Sequence, residues 1–278
     1  MNANAGTRLF VLLGDPVSHS LSPTIQNAAF TAAGLNAAYL ALRCDSADVA
    51  PLVRAIARAG GGGNVTIPHK EIVVGALDVT SPAVRATLAC NTFWFDGERV
   101  HGDNTDVEGF TAATLALVRS IDGIRAFVAG AGGGARAAVH ALLEGGADHI
   151  TVANRDLHRA RALAAHLDAT GRRMRTVALN DLPRERFDLV VNATSLGLGD
   201  RDALPFVLPA LGEVGAVLDL VYRSGGSQLV HQAAALGIPA RDGLDMLLAQ
   251  GAAAFERWFK RRAPVDAMRA AVASAEPA

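Results

Sequence analysis

The stretch Ile124–Arg136, IRAFVAGAGGGAR, constrains the fold more than any other part of the chain. A short apolar run, Ala126–Ala129, leads into a cluster of glycines, and an alanine-rich segment follows at Ala135–Leu143. This order predicts a strand, a tight turn and a helix. It therefore indicates an α/β domain in which the helix packs against a parallel sheet.

The glycine cluster also matches a dinucleotide-binding pattern. Gly130, Gly132 and Ala135 fit G-x-G-x-x-[GA], with Gly133 and Gly134 between them. In that pattern the first glycine permits the turn, the second lets backbone approach a pyrophosphate, and the small third residue lets helix pack on strand. Glycine-rich turns also end many strands for conformational reasons alone, so the cluster by itself leaves both interpretations open.

A second strand pattern, His149–Ala153, ends about 20 residues after the glycines, where such domains place the residue that contacts the adenosine ribose. That place holds Asn154, Arg155 and Asp156, and a helical pattern follows at Leu157–Leu167. The alternation of strand and helix predicts a parallel sheet with helices on both faces.

Polar residues follow two later strand patterns of the same half. Thr194 comes after the run Asp188–Asn192, and the run Ala216–Tyr222 contains Asp219 and Tyr222. Because ligands bind at the carboxyl ends of parallel strands, we expect both polar groups to face a cofactor.

Composition limits the function classes. With 278 residues, 50% hydrophobic and 19% charged, the chain is expected to form two domains. The net charge of −1 gives no reason to expect nucleic acid or a membrane surface as partner, so a small molecule is favoured. Apolar stretches fall short of the roughly 20 residues of a spanning helix, and no signal-peptide pattern precedes them, which predicts a cytoplasmic protein. Cys44 and Cys90 are expected to be buried free thiols, and no Cys/His cluster suggests a metal site.

A hydroxyl-rich turn follows the first strand pattern, Arg8–Leu13. Ser22 is predicted to cap a helix over Thr24–Ala33, with Pro23 at its first position. A cap does not account for all the hydroxyls at this strand end, so Ser20 and Ser22 are also candidates for binding a polyol.

Four consecutive glycines, Gly60–Gly63, precede a second polar stretch, which begins at Asn64. Such a run is either a linker or a backbone that must stay clear of a ligand. Asn64, Thr66 and Lys70 supply an amide, a hydroxyl and an ammonium, which suit a hydroxylated anion or a polarised carbonyl. Taken alone, Lys70 is typical of a solvated surface residue.

A third polar cluster, Asp103, Asn104 and Asp106, lies directly before the chain enters the nucleotide-binding half. It suggests a site at the cleft between the domains. Asp106 alone is also explained as the N-cap of a helix over Val107–Val118.

Two further elements complete the pattern. The run Cys90–Phe95 predicts a strand that is turned into a hairpin at Asp96-Gly97. The last long helix, Leu244–Phe259, carries apolar residues at helical spacing, and Gln250 is its polar exception.

Taken together, these residues give the chain a resemblance to the shikimate dehydrogenase family along nearly its whole length. Five stretches occur in the order of that family: GDPVSHSLSP (14–23), NVTIPHKE (64–71), NTF with GDNTD (91–93 and 102–106), GAGGGAR (130–136) and DGLDMLLAQ (242–250). The resemblance implies a substrate domain formed by residues 1–106 and completed by C-terminal helices in 243–278. It also implies a Rossmann-type NADP-binding domain inserted at 107–242.

The resemblance also implies roles for individual residues. Lys70 and Asp106 would be the catalytic pair. Substrate hydroxyls and carboxylate would be held by Ser20, Ser22, Thr66, Asn91, Tyr222 and Gln250. NADP would be bound by Gly130, Gly132, Gly133, Gly134, Ala135, Asn154, Arg155, Arg159 and Thr194. Asp156 departs from the family pattern, and its carboxylate suits a free 2′-hydroxyl and would repel a 2′-phosphate, so NAD is a second candidate cofactor. Arg155 and Arg159 together outweigh this one anion and favour NADP. Arg159 has the alternative of a solvated helix residue.

The implied activity is reversible, NADP-dependent reduction of 3-dehydroshikimate to shikimate by an enzyme that is a monomer or a homodimer. Gln26, Val107, Asp156 and the lack of proline after Tyr222 depart from the family pattern, so quinate and aminoshikimate stay open as substrates. A folate one-carbon dehydrogenase is a second interpretation, which the paired serines disfavour. A non-catalytic regulator that binds nucleotide or ring acid is a third, and it would need neither member of the catalytic pair.

Overall fold

Two compact units make up the fold in the computed structural model, which describes residues 4–197 and 202–275. Unit 1 comprises Met1–Gly109 and Leu247–Ala278, and unit 2 comprises Phe110–Met246. The ends of these units at Gly109 and Met246 fall within the helices Asp106–Leu115 and Leu244–Phe259.

Unit 1 is built on a mixed six-stranded sheet in the order β2-β1-β3-β5-β6-β4. Its strands are β1 (Arg8–Gly14), β2 (Ala37–Arg43), β3 (Gly62–Val65), β4 (Val79–Thr80), β5 (Thr92–Phe95) and β6 (Val100–Asp103). Its first helices are α1 (Ser22–Ala32), α2 (Val49–Arg58) and α3 (Pro82–Thr87), with a 3₁₀ helix at Ile72–Ala76. Strands β1, β2 and β3 run parallel, and β5 pairs antiparallel with both β3 and β6, so the predicted hairpin is present.

The glycine run Gly60–Gly63 is neither the linker nor the ligand-facing backbone that the sequence suggested. Gly62 and Gly63 begin β3, which lies between β1 and β5. A Cβ atom on Gly63 would lie 2.2 Å from the carbonyl oxygen of Val11, and one on Gly62 would lie 2.7 Å from that of Phe93. The backbone must therefore stay clear of neighbouring strands, not of a ligand.

Unit 2 contains an all-parallel six-stranded sheet in the order β14-β13-β11-β7-β8-β9. Its helices are α4 (Asp106–Leu115, which begins in unit 1), α5 (Gly133–Glu144), α6 (Leu157–Leu167) and α7 (Gln228–Ala235). Its strands are β7 (Arg125–Ala129), β8 (His149–Asn154), β9 (Met174–Ala178), β10 (Glu185–Phe187), β11 (Leu189–Asn192), β12 (Gly212–Val214), β13 (Val217–Asp219) and β14 (Ala240–Arg241). The chain builds outward from β7 in one direction, then returns to β11 and builds in the other. The predicted α/β class is confirmed, and β7 and β11 flank the switch point where such sheets bind ligands.

The C-terminal helices α8 (Leu244–Phe259) and α9 (Val265–Ala275) follow. Phe255, Trp258 and Phe259 of α8 pack in unit 1 with Phe10 and Phe30, with ring centroids 4.8–6.4 Å apart. This aromatic cluster explains why a segment so late in the sequence belongs to the first unit. None of the described helices is long and apolar enough to cross a membrane.

The predicted cap of α1 is wrong. The helix begins at Ser22 itself with Leu21 in the N-cap position, and within the described part of the chain no side chain caps it. The local reason is the turn before the helix, in which the Ser22 N–H donates to Ser20 Oγ at 3.2 Å. The Ser22 hydroxyl is therefore not used to cap the helix.

Candidate active site

The strongest feature of unit 1 is an ion pair between Lys70 and Asp106. Lys70 Nζ lies 2.5 Å from Asp106 Oδ2, and the side chains are 16% and 6% exposed. The two residues are 36 positions apart, on the segment after β3 and at the start of α4. The fold has therefore joined an ammonium and a carboxylate in a largely buried place, which is not the setting of a solvated surface lysine.

Asn91 holds this pair in place. Its Nδ2 donates to Asp106 Oδ1 at 2.8 Å and lies 3.2 Å from Gln250 Oε1. Its Oδ1 accepts from the N–H of Thr105 at 2.8 Å, which fixes the residue before Asp106. Four of the predicted site residues, Lys70, Asp106, Asn91 and Gln250, thus form one connected network.

The predicted hydroxyl groups lie after adjacent parallel strands. Ser20 and Ser22 follow β1, and Thr66 follows β3, with Leu13 paired to Val65 at the ends of these strands. The two following segments are joined, because the Asp15 N–H donates to the carbonyl of Ile67 at 2.8 Å. The carboxyl ends of β1 and β3 therefore bring the serines and the threonine to one edge of the sheet.

His69 is a supporting residue that the sequence did not single out. It is buried, and its Nε2 lies 2.9 Å from the carbonyl oxygen of Cys44. The Lys70 carbonyl accepts from the N–H of Cys90 at 2.7 Å. The backbone around Lys70 is therefore fixed on both sides. Cys44 and Cys90 are buried free thiols, as predicted.

Asn64 was predicted to supply an amide to a ligand, and the structure uses it internally. Its Oδ1 accepts from the buried hydroxyl of Tyr39 at 2.8 Å, and its Nδ2 donates to the carbonyl of Asn91 at 3.1 Å. Burial raises the pKa of Tyr39 well above its usual value, which keeps the phenol a neutral donor. Asn64 therefore helps to fix the backbone of Asn91 through this hydrogen bond.

Asp103 and Asn104 likewise do not form the ligand site that their clustering suggested. The Asp103 carboxylate accepts from Ser81 Oγ, from the N–H of Asn104 at 2.7 Å and from Arg257 Nε at 2.8 Å. Asn104 Nδ2 donates to Thr87 Oγ1 at 2.9 Å. These bonds hold the loop that carries Asp106, and Arg257 is a residue that the sequence analysis missed.

The glycine loop of unit 2 has the geometry of a phosphate site. Gly130 has φ +115°, and a Cβ atom there would lie 2.7 Å from the carbonyl oxygen of Ala193. At Gly132, by contrast, no described atom beyond Gly132 and its two chain neighbours lies within 4 Å of a Cβ position. Helix α5 begins at Gly133, and Ala135 in its first turn is fully buried. The first-turn N–H groups of α5 have no acceptor within the helix, and Gly132 places no side chain beside them.

In the segment after β8, Asp156 has a structural role. Its side chain accepts from the N–H groups of His158 and Arg159 at 2.9 and 3.4 Å and so caps α6. Asn154 Nδ2 donates to the Asp156 carbonyl at 2.8 Å, which shapes the turn. Arg155 is exposed and lines an open cavity of about 350 Å³ with Leu179, Asn180 and Pro205. The exposed Arg155 side chain therefore lies beside this cavity, whereas the Asp156 carboxylate is used in hydrogen bonds at the N-terminus of α6.

Thr194 is fixed by the amide of Asn192 at the end of β11. Asn192 Oδ1 accepts from Thr194 Oγ1 at 2.7 Å and from the Thr194 N–H at 3.0 Å. Asn192 Nδ2 donates to Asp219 Oδ1 at 2.8 Å. The loop after β11 is thus tied to the end of β13.

Asp219 was expected to face a cofactor, and it is buried instead, at 1% exposure. Besides Asn192, its carboxylate accepts from Ser227 Oγ at 2.6 Å and from the Val221 N–H at 3.1 Å. Burial raises the pKa of Asp219, an effect that these hydrogen bonds oppose only in part. Tyr222, half-buried, directly follows Val221, so Asp219 shapes the turn that carries it.

No metal-binding group of three or more His, Cys, Asp or Glu side chains occurs between residues 4 and 197 or between 202 and 275. The hydroxyl, amide, carboxylate and ammonium groups of unit 1 suit a polar organic ligand.

Comparison with known protein families covers both units. The Shikimate dehydrogenase substrate binding domain matches residues 12–93. The Shikimate / quinate 5-dehydrogenase family matches residues 113–197, and the Shikimate 5'-dehydrogenase C-terminal domain matches residues 243–273.

Individual relatives match nearly the whole length of this chain. A shikimate dehydrogenase (NADP(+)) of Halobacterium salinarum is 42% identical over 267 residues, which cover 95% of this chain and 98% of the relative. The shikimate 5-dehydrogenase of Thermus thermophilus, solved in complex with NADP(H) and shikimate, superposes with a TM-score of 0.80 at 36% identity, covering 96% of this chain and 98% of that one. A ligand-free 5-ketofructose reductase of Gluconobacter sp. strain CHM43 superposes with a TM-score of 0.83 at 30% identity, covering 98% and 99%. This chain belongs to the shikimate dehydrogenase family.

Proposed function

We propose that the protein is an NADP-dependent shikimate dehydrogenase, which reversibly reduces the ring ketone of 3-dehydroshikimate to the alcohol of shikimate. The observation that carries this proposal is the ion pair between Lys70 and Asp106, 2.5 Å apart and largely buried. A protein that only bound nucleotide or ring acid would need no such pair. The family to which the chain belongs agrees with the proposal.

The pair would handle the proton of the reaction. NADPH, when bound, supplies the hydride to the ketone carbon, and the ketone oxygen takes on alkoxide character. The Lys70 ammonium stabilises that developing charge and donates a proton to it, which completes the alcohol. Asp106 holds the ammonium in position through its Oδ2, while its Oδ1 accepts from Asn91 Nδ2. In the oxidative direction Lys70 takes the proton back.

The remaining predicted residues of unit 1 would position the ring acid. Ser20 and Ser22 suit the carboxylate, because two neighbouring hydroxyls can donate to one anion. Thr66, Asn91 and Gln250 suit the ring hydroxyls, and the resemblance to the family assigns Tyr222 to the same substrate. The side-chain bonds of Asn91 to Asp106 and Gln250 link the proposed catalytic pair to α8.

Unit 2 would bind the cofactor. The open space at Gly132 and the N-terminus of α5 fit a pyrophosphate, with Gly130, Gly133, Gly134 and Ala135 completing the turn. Arg155, beside its cavity, suits the 2′-phosphate that distinguishes NADP from NAD, since a guanidinium binds phosphate through two hydrogen bonds. Asn154, Arg159 and Thr194 are assigned to the same cofactor.

This assignment makes unit 1 the substrate domain and unit 2 the dinucleotide domain. A cytoplasmic location and a monomeric or homodimeric state complete the proposal.

The experiment that tests the proposal is a substrate panel. The purified full chain is assayed at the nicotinamide absorbance with shikimate, quinate and aminoshikimate, each with NADP and NAD, and with 5-ketofructose and NADPH. We expect the highest kcat/KM for shikimate with NADP. Preference for quinate or aminoshikimate would reassign the ring acid within the family, and preference for 5-ketofructose would reject a ring acid. Binding of a ring acid without any turnover would favour the regulator.

A further inference from the structure

The loop that carries Asp106 contains three carboxylates within six residues, at Asp103, Asp106 and Glu108. Lys70 pairs with the middle one. The outer two share a single cation, because Arg257 Nε lies 2.8 Å from Asp103 Oδ2 and its second terminal nitrogen contacts Glu108 Oε1. One guanidinium therefore bridges the loop on both sides of the catalytic carboxylate.

The Asp103 end of this bridge leads directly to the catalytic pair. Asp103 is buried, and its carbonyl accepts from the N–H of Asn91 at 3.1 Å. Asn91 in turn donates from its side chain to Asp106. A displacement of Asp103 would thus be transmitted to Asp106 through Asn91.

Helix α8 supplies a second contact with the same region. Arg257 follows Gln250 by seven positions, about two helical turns, so both side chains leave the same face of α8. Gln250 contacts Asn91, Arg257 contacts Asp103, and Trp258 Nε1 donates to Thr92 Oγ1 at 3.0 Å. One face of the helix therefore holds the ends of β5 and β6 at several points.

The charge of Arg257 is needed where it lies. Its side chain is only 30% exposed, and burial by itself lowers the pKa of Arg257. The hydrogen bond to Asp103 and the attraction of both carboxylates more than offset this effect and raise the pKa, so the guanidinium stays charged. Without it, Asp103 would be a buried carboxylate lacking a compensating cation, which is strongly unfavourable.

We infer that Arg257 is a positioning residue for the reaction: it fixes the loop from Asp103 to Glu108 against α8 and thereby sets the geometry of the pair formed by Lys70 and Asp106. The inference rests on the proposed function for its kinetic consequence. Its structural consequence, an ordered loop, is independent of turnover. A misplacement of about 1 Å at a reacting group lowers a rate by up to about a hundredfold, so the effect is measurable.

The test compares four variants with the unmodified chain: Arg257→Gln, Arg257→Lys, Asp103→Asn, and Asp103→Asn combined with Arg257→Gln. Arg257→Gln is expected to lower kcat about tenfold to a hundredfold while leaving the KM for NADPH unchanged. Arg257→Lys should restore part of the loss, because an ammonium compensates Asp103 without bridging to Glu108. The double variant should exceed Arg257→Gln in kcat, since it removes the uncompensated carboxylate.

Arg54→Gln is the matched control, because Arg54 forms an exposed ion pair with Asp78 at 3.8 Å in the same unit. Its kcat and loop exchange should match those of the unmodified chain. Hydrogen exchange of peptides covering residues 103–108 gives the second measurement and is expected to be at least about tenfold faster in Arg257→Gln.

The outcomes of the two measurements separate the two proposals. Faster loop exchange in Arg257→Gln, when the unmodified chain has no dehydrogenase activity, would reject the proposed function and keep the loop role. Unchanged exchange, or a normal kcat for Arg257→Gln in an active enzyme, would overturn the inference. If Arg257→Gln fails to fold, Arg257→Lys and Asp103→Asn decide: normal kcat and exchange in both would also overturn it.

Discussion

At the scale of the single residue, Arg155 and Asp156 bear on cofactor choice in different ways. Arg155→Ala should weaken NADP binding about tenfold to a hundredfold relative to NAD, since a charged hydrogen bond to the 2′-phosphate contributes roughly 1.5–3 kcal/mol. Dissociation constants for both nucleotides, measured by titration calorimetry, check this. Equal weakening of NADP and NAD would remove the phosphate assignment.

Asp156→Asn is the companion variant. Asn also caps helices, so the bonds to the N–H groups of His158 and Arg159 are retained. Because Asp156 acts as a cap, we expect the ratio of NADP to NAD affinity to change little. A large gain in NADP affinity would show instead that the carboxylate repels the phosphate.

Asp219 gives the chain a specific dependence of stability on pH. Burial raises its folded-state pKa, so the folded protein holds the Asp219 proton more tightly than the unfolded chain does. Its contribution to stability therefore falls as pH rises from the ordinary carboxyl pKa, about 3.9, through the raised value.

Asp219→Asn should lack this dependence while keeping its hydrogen bonds to Asn192 and Val221, which use one oxygen. Urea unfolding across the acidic range should therefore show the variant gaining stability relative to the unmodified chain as pH rises. Parallel curves for the two proteins would contradict the assignment.

The sequence predicted the chemical groups of the site better than their partners. Lys70, Asp106, Asn91 and Gln250 lie together, although their roles stay proposals. Asp103 was misinterpreted because its partner Arg257 lies 154 positions away, and no local pattern indicates such a pairing. The signal that would have indicated it is an arginine on the same face of α8 as Gln250, together with three carboxylates and no cation within residues 103–108.

At the scale of the element, β3 depends on its glycines. Gly63→Ala would place a Cβ atom 2.2 Å from the Val11 carbonyl oxygen. The backbone fixes the positions of both atoms, so no side-chain rotation relieves the clash. We expect a loss of about 1–3 kcal/mol in the free energy of unfolding, typical of overpacking. Chemical denaturation measures it.

Gly75→Ala is the control, because no described atom outside its chain neighbours and its own helix backbone lies within 4 Å of its Cβ position, and the residue is exposed in a 3₁₀ helix. Its stability should change by less than about 1 kcal/mol, in the stabilising direction if the backbone fits. Equal losses in the two variants would mean that the packing explanation is wrong.

Some element boundaries were predicted correctly, and others were not. The ranges of α6 and α8 agree with their patterns, since periodicity of apolar residues extends over several turns. The run Ala216–Tyr222 overestimated β13, which spans Val217–Asp219. The Asp219 carboxylate accepts from the Val221 N–H and so turns the chain out of the sheet, an effect that hydropathy does not encode.

At the scale of the whole molecule, one chain builds two units around two different sheets. The glycine pattern in the middle of the sequence predicted the all-parallel sheet of unit 2. The return of α8 to unit 1 follows from its aromatic residues, which pack with Phe10 and Phe30. The network of Lys70, Asp106, Asn91 and Gln250 draws on both segments of unit 1, because Gln250 comes from α8 and the other three members precede residue 109.

Lys70 and Asp106 are proposed to act as one catalytic pair, and kcat for the oxidation of shikimate with NADP tests this role directly. Lys70→Ala and Asp106→Asn should each lower kcat by about 10²–10⁴-fold with comparatively little change in KM, which is the usual contribution of general acid–base catalysis. The double variant should lose far less than the product of the two losses, because the side chains form one ion pair. Near-normal kcat in both single variants, with the fold verified by circular dichroism, would rule out a catalytic role for the pair.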